Sequence, residues 1–170
     1  MTSPNRLSRL PSGTRAIFDS NIFVYWVTDH PRFADDCETV IRRVEDGELQ
    51  GVIPHIVLNE LLHRLIIAEA VGKELVSSPQ EAVAQIKRNP DIISQLSVAW
   101  ELHQDLIKMP FELVDEAKGL TDLTYYFSKE LKLMAKDAAI TASAHAYNIK
   151  HIVSNDRDFE RIPWLTYWRP

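Results

Sequence analysis

One cysteine in 170 residues excludes an intrachain disulfide, and Cys37 alone cannot build a thiolate metal cluster. A chain without a covalent framework fits a reducing compartment, so the expected location is cytoplasmic. No apolar run reaches the roughly 20 residues of a membrane-spanning helix, which predicts a soluble protein with no membrane partner. A basic surplus is also missing: 19 Lys and Arg stand against 24 Asp and Glu, for a formal net charge of -5. That balance argues against a broad basic surface that grips nucleic acid, while leaving room for a local site. Repeats, low-complexity tracts and long linkers are absent too, so residues 15–170 read as one domain able to bury a core.

The N-terminus departs from the acidic average. Arg6, Arg9 and Arg15 precede the first acid, Asp19, and Pro4, Pro11 and Gly13 fit a leader that stops where a strand begins. The expectation is a flexible basic tail over residues 1–14, with an ordered extension and an organellar address as the lesser readings.

From Arg15 onward short apolar runs alternate with helical periodicity, the pattern of parallel strands joined by crossover helices. Ala16 to Phe18, Val52–Ile53, Phe111 to Val114 and His151 to Ser154 read as buried strands, and Leu165 to Arg169 as an edge strand. Helices are expected over Ile22 to Val27, over Phe33 to Asp46 with Gly47 as its stop, and from Pro54 to Val71 with Gly72 ending it. In the last, Leu58, Leu61, Leu62 and Leu65 form a buried stripe. Pro79 and Pro90 each open a helical segment, Gln80 to Arg88 and Asp91 to Lys108, so residues 73–109 read as a helical insert. Two further helices follow, Thr121 to Leu133 and Lys136 to Asn148.

The acids fall at telling places in this pattern. Asp19 interrupts apolar sequence where the first strand ends, and Asp156 has the equivalent place after the fourth, so both project from carboxyl ends of parallel strands, where open α/β sheets keep their ligand crevice. Glu60 shares a helix face with Ile56 and Ile67 and needs a partner. Asp137 opens a helix rich in alanine, whose small side chains permit close packing on the sheet. Crowded anions protonate or repel unless a hard divalent cation binds them, and oxygen ligands without thiolate favour Mg²⁺ or Mn²⁺ over zinc. Such a platform suits phosphate chemistry. Four of the five units of net negative charge then belong to one pocket.

Simpler roles compete for each residue. Asp19 has the character of a helix N-cap, Asp137 that of a first-turn acid favoured by the macrodipole, and Glu60 that of an i+4 partner for Arg64. Asp156 and Asp158 lie beside Arg157 and Arg161, as in a solvated turn. His63 and His145 are general-base candidates or surface histidines; Trp164, Tyr167 and Trp168 are stacking candidates or core. Glu60 and His63 form one Glu-x-x-His pair, but a di-iron bundle needs a second.

Four motifs in register carry a resemblance: Ile17-Phe18-Asp19-Ser20-Asn21, Leu58-Asn59-Glu60-Leu61, Lys136-Asp137-Ala138-Ala139-Ile140 and Ser154-Asn155-Asp156-Arg157-Asp158-Phe159. Over residues 15–162 the chain resembles the PIN-domain ribonucleases, among them the VapC-type toxins. The resemblance implies a three-layer α/β/α domain with a central, mostly parallel sheet and a metal-dependent endoribonuclease. One or two Mg²⁺ or Mn²⁺ ions would be held by Asp19, Glu60, Asp137 and Asp156, with Asp158 as an auxiliary ligand and Asn21 and Ser154 in support. Arg64, Lys136, Arg157 and Arg161 lie close in sequence to these ligands and are expected to position RNA phosphates. A small antitoxin and a second copy of the chain are the implied protein partners. The insert at residues 73–109 is where the chain departs from compact toxins of the family. Competing readings are an RNA-processing or decay nuclease, a non-catalytic RNA-binding module, and a phospho-receiver accepting at a middle-strand Asp. For the receiver, Asp115 ends the third strand, but no Lys ends the fourth.

Overall fold

The computed structural model describes residues 5–115 and 119–170. Among these, six strands form one all-parallel sheet: β1 Asn5–Arg6, β2 Arg15–Phe18, β3 Gln50–Pro54, β4 Glu112–Val114, β5 His151–Val153 and β6 Thr166–Arg169. Their spatial order is β1-β6-β5-β2-β3-β4. A parallel sheet requires cover on both faces, which is why its central strands are continuous apolar runs. Ile17, Phe18, Val52, Ile53, Ile152 and Val153 are each fully buried. Flanking helices supply the cover, giving the expected three-layer α/β/α architecture: α1 Ser20–Val27, α2 Ala34–Glu45, α3 His55–Gly72, α4 Pro79–Arg88, α5 Val98–Lys108, α6 Leu120–Leu131 and α7 Ala135–Ala146.

The order of strands creates the crevice. From β2 the chain steps to β3 and β4 on one side, then returns to β5 and β6 on the other. Two helical connections therefore leave the carboxyl ends of β2 and β5 in opposite directions, opening a gap at a topological switch point. Register sets the level of its floor: Ile17 pairs with Ile152 and Phe18 with Val153. The next residue, Asp19, donates its backbone N–H to Val153 O at 3.0 Å.

Beneath the crevice, Phe111 packs edge-on against Phe18 and Phe23, with ring centroids 5.2 and 5.4 Å apart. Gly51 makes room for it, since a Cβ there would run into the Phe111 ring. Gly47, at φ +73°, closes α2 as expected. In α3, Val57, Leu58, Leu61 and Leu65 are buried, but Leu62 is only half-buried, so the stripe is narrower than the leucine spacing suggests.

Two regions differ from the sequence expectation. Residues 5–14 are not a free tail: β1 pairs with Trp168 and Arg169 of β6, and Leu7 and Leu10 are buried in the main core. Arg43 holds this segment from α2 through Leu10 O, at 2.6 Å. Strand β6 is consequently not an edge. Pro4 lies outside the described residues.

In the insert, Pro79 opens α4 behind the Ser78 cap as expected, but Pro90 opens a short 3₁₀ turn, Pro90–Gln95, instead of a helix. The single helix expected from Asp91 breaks because α5 has its own start, and that start is capped from outside. The Glu69 carboxylate accepts the backbone N–H groups of Ser97, Val98 and Ala99 at 2.9, 3.2 and 2.7 Å and pairs with Lys73 at 2.7 Å. Ala70, Val76, Ala82, Ile92 and Leu96 form a second small core there.

Burial alone would push the Glu69 carboxyl up, yet Lys73 and the three N–H groups overcome it and hold the pKa down to about 2. A lowered native pKa stabilises above the unfolded value and is lost as pH falls toward the native one. Glu69→Gln should lower the melting temperature at pH 7 by about 3 °C, for about 1 kcal/mol of charge-assisted capping. Hydrogen exchange at Ser97, Val98 and Ala99 should speed up, and the deficit against wild type should shrink between about pH 4.5 and 2. Unaltered exchange at these amides would refute the cap.

Candidate active site

Where β2 runs into α1, Asp19 leaves the sheet with no exposure at all. It is indeed the N-cap, its Oδ1 accepting from Ser20 N at 2.7 Å, so the simple reading is true but incomplete. Its Oδ2 accepts from Ser154 Oγ at 2.7 Å and from Asn21 Nδ2 at 2.5 Å. Asn21 also donates to Ser154 Oγ at 3.0 Å, and its Oδ1 accepts from Asn155 N at 3.1 Å. Asp156 N donates to Ser154 Oγ, also at 3.0 Å. Asn21 and Ser154 thus stitch the β2 turn to the β5 turn and fix the direction of Asp19. Asp156 begins a short 3₁₀ turn and accepts from Asp158 N at 2.9 Å.

From α3, Glu60 reaches the same place without pairing with Arg64. Its Oε2 accepts from Ser20 Oγ at 2.6 Å, and its Oε1 from Lys136 Nζ at 3.1 Å. Ser20, fully buried, links Asp19 to Glu60 and was given no role from sequence. Its position directly after the cap, a polar residue beside Asn21 on the buried first turn of an otherwise apolar helix, is the signal that could have found it.

Lys136 lies among three carboxylates. Its ammonium is 3.1 Å from Glu60, 3.6 Å from Asp137 and 3.8 Å from Asp19. Burial opposes the charge, but Asp19, Glu60 and Asp137 outweigh it and raise the lysine's pKa. Burial also pushes Asp19 above the usual carboxylate range, against the opposing pull of Lys136 and of the Ser154 hydroxyl. For Asp137, burial pushes the carboxyl up to about 6; Lys136 opposes this, while the negative charges of Asp156, Asp19 and Asp158 add to it. Alanines at 138, 142 and 144, all fully buried, let α7 carry Asp137 this far inward.

Beside these acids lies a cleft of about 300 Å³, lined by Asn21, Tyr25, Arg64, Lys136, Asn155, Asp156 and Arg157. Three of the four expected phosphate contacts are therefore on its wall. Arg161 is not: its guanidinium bonds Lys132 O at 2.9 Å and pairs with Asp158. Asp158 is correspondingly engaged with arginine, as the solvated-turn reading has it. His63 is exposed, His145 packs against the Phe127 and Trp164 rings, and Tyr167 and Trp168 are core. Asp115 is exposed on the far side of β3, at the end of the outermost strand β4, where no middle-strand phosphoacceptor can be.

Among the described residues, no three acidic, histidine or cysteine side chains stand close enough together to hold an ion. Lys136 takes the middle of the group. The donor chemistry nevertheless fits a hard cation: all the candidate ligands offer carboxylate oxygens, and Asp137 Oδ1 is buried without a hydrogen-bond partner.

The sequence profile of the PIN domain matches residues 16–165. The chain belongs to the PIN domain family. Ribonuclease VapC2 of Methanocaldococcus jannaschii is 27% identical to this PIN domain over 151 residues, covering 89% of this chain and 91% of that protein. Among solved structures, VapBC2 from Rickettsia felis bound to a DNA fragment from their promoter superposes with a TM-score of 0.54 and 18% identity, over 92% of this chain and 98% of that one. A toxin-antitoxin complex from Klebsiella pneumoniae gives a TM-score of 0.50 and 18% identity, over 88% and 94%.

The raised Asp137 carboxyl makes a prediction about the PIN domain's stability. A carboxyl raised from 3.8 to about 6 on folding stabilises fully below 3.8, and that contribution is lost as pH rises through about 6. In a chelator, Asp137→Asn should therefore melt higher than wild type at pH 8, by about 3 °C per kcal/mol relieved, and equal to it near pH 3.5. A variant that melts lower than wild type at pH 8 would contradict this.

Proposed function

We propose that this PIN-domain chain is a metal-dependent endoribonuclease of the VapC type. The observation that carries the reading is the gathering of Asp19, Glu60 and Asp137 around one cationic position, beside a cleft walled by Asp156 and three basic side chains. Asp19, Asp137 and Asp156 would hold one or two Mg²⁺ or Mn²⁺ ions, with Glu60 directly or through water. When bound, such an ion supplies Lewis acidity that makes a water nucleophilic near neutral pH and offsets charge on phosphoryl oxygens.

The chain's own residues do the positioning. Asn21 and Ser154 hold Asp19 Oδ2 in one direction, and Ser20 ties Glu60 to the same turn. Arg64, Lys136 and Arg157 face the cleft as phosphate contacts, Arg64 and Arg157 offering the paired donors that suit a phosphate. Asp158 and Arg161 pair with each other across one turn and do not line the cleft.

An antitoxin partner is supported by the likeness to VapC2 and by the toxin-antitoxin assemblies that share the fold. The same reading gives a cytoplasmic homodimer with RNA as substrate. No helix among the described residues is long and apolar enough to cross a membrane.

Incubation with single-stranded RNA and Mn²⁺ tests the site. Asp19→Asn and Asp137→Asn should each reduce cleavage by more than about 100-fold, since even residues behind metal ligands are commonly worth 10–100-fold. The wild-type products should carry 5′-phosphate and 3′-hydroxyl ends. Cleavage that persists undiminished in both variants would overturn the assignment.

A further inference from the structure

The cleft has an aromatic wall that the acidic residues do not use. Tyr25 lies four residues after Asn21 on α1, so the two side chains share a helix face, and both line the cleft. Its hydroxyl accepts a hydrogen bond from Asn155 Nδ2 at 3.2 Å. Asn155 is held in turn by Asn21, which donates to Asp19, so three links tie the ring to the buried acid. The hydroxyl's own hydrogen has no acceptor among the described residues.

Behind the ring stands a support. Tyr25 packs against His30 and Phe33 at centroid separations of 4.6 and 5.2 Å, and His30 stacks on Phe33 at 4.9 Å and 18°. The Arg32 guanidinium lies 5.1 Å over Phe33. The turn that brings these rings back onto α1 passes through Asp29 in the left-handed region, at φ +49°, and closes with His30 N donating to Tyr25 O at 2.9 Å. All three rings stay partly exposed, and Tyr25 is the one that lines the cleft.

A rigid ring beside Arg64, Lys136 and Arg157 has the two elements that recognise single-stranded nucleic acid: cations for the backbone and a π-face for the base. Bases within a duplex are already stacked and cannot reach such a ring. We propose that Tyr25, buttressed by His30 and Phe33, stacks on an unpaired base next to the phosphate held in the cleft and sets base preference through its free O–H. This deepens the nuclease reading above and rests on it.

The probe is a short single-stranded oligoribonucleotide carrying 2-aminopurine at one position at a time. Its fluorescence is read in Ca²⁺ for binding, and cleavage is read in Mn²⁺. With wild type, quenching should concentrate at one position beside the cut. Tyr25→Ala should lose that quenching and raise KM about 5- to 150-fold, the range expected for one stacked base, with kcat held within about 2-fold. Tyr25→Phe should keep the quenching and alter the preferred base at that position. If Tyr25→Ala does not fold, Tyr25→Leu fills the same space without a π-face and should show the same loss.

Unchanged KM and quenching in Tyr25→Ala or Tyr25→Leu would overturn the stacking contact, as would Tyr25→Phe being as impaired as Tyr25→Ala. Tyr25-dependent quenching without any Mn²⁺-dependent cleavage would uphold the base contact and overturn only the nuclease reading. Cleavage without Tyr25-dependent quenching would overturn the base contact alone.

Discussion

Lys136 balances a charge that the fold itself creates. Parallel strands ending at a switch point bring Asp19 to a position with no exposure, and α3 and α7 bring Glu60 and Asp137 against it. Carboxylates in such a place repel one another, and burial makes Asp19 and Asp137 resist ionisation. One ammonium within 3.8 Å of all three is what lets them stay together. It is a single positive charge against three negative ones, so the balance is incomplete; Asp137, pushed up by burial and by its acidic neighbours, keeps an Oδ1 with no hydrogen-bond partner. A cluster left short of positive charge is one prepared to take a cation.

The neutral polar residues around the acids make the arrangement rigid. Ser20, Asn21 and Ser154 give Asp19 and Glu60 hydrogen bonds that do not depend on the protonation of a neighbour. The same bonds couple the turn after β2 to the turn after β5, which are more than a hundred residues apart in sequence. Tyr25 and Asn155 extend that coupling to the cleft's rim. Asp19, Glu60, Lys136 and the aromatic wall are thus parts of one hydrogen-bonded frame standing on the carboxyl ends of two adjacent strands.

Much of this was legible in the chain, for physical reasons. Apolar residues ahead of the acids, Ala16 to Phe18 before Asp19 and Ile152–Val153 before Asp156, mark buried strands, and an acid just after such a strand stands at the sheet's carboxyl edge. Alanine at 138, 142 and 144 marks a helix packed close. Pairings that depend on distant residues were not legible: Glu69 caps a helix 28 to 30 residues away, and Leu7 and Leu10 enter the core only because Arg43 and β6 receive their segment. Lys136 was read as a phosphate contact from its place beside Asp137. Its position among the acids depends on where α3 crosses α7, which periodicity does not specify. Arg161 and Asp158 failed to join the cleft because they satisfy each other across one turn, a local option that an expectation drawn from motifs passes over.

The account rests on the need for positive charge at that one point, and the melting temperature of Lys136→Met at pH 8 tests it most directly. Removing one partner from a buried ion pair leaves the others uncompensated. The account predicts a fall of several degrees in chelator that saturating Mn²⁺ restores, because a bound cation can replace the missing ammonium. A variant that melts like wild type in chelator, or a loss that Mn²⁺ leaves untouched, would contradict it.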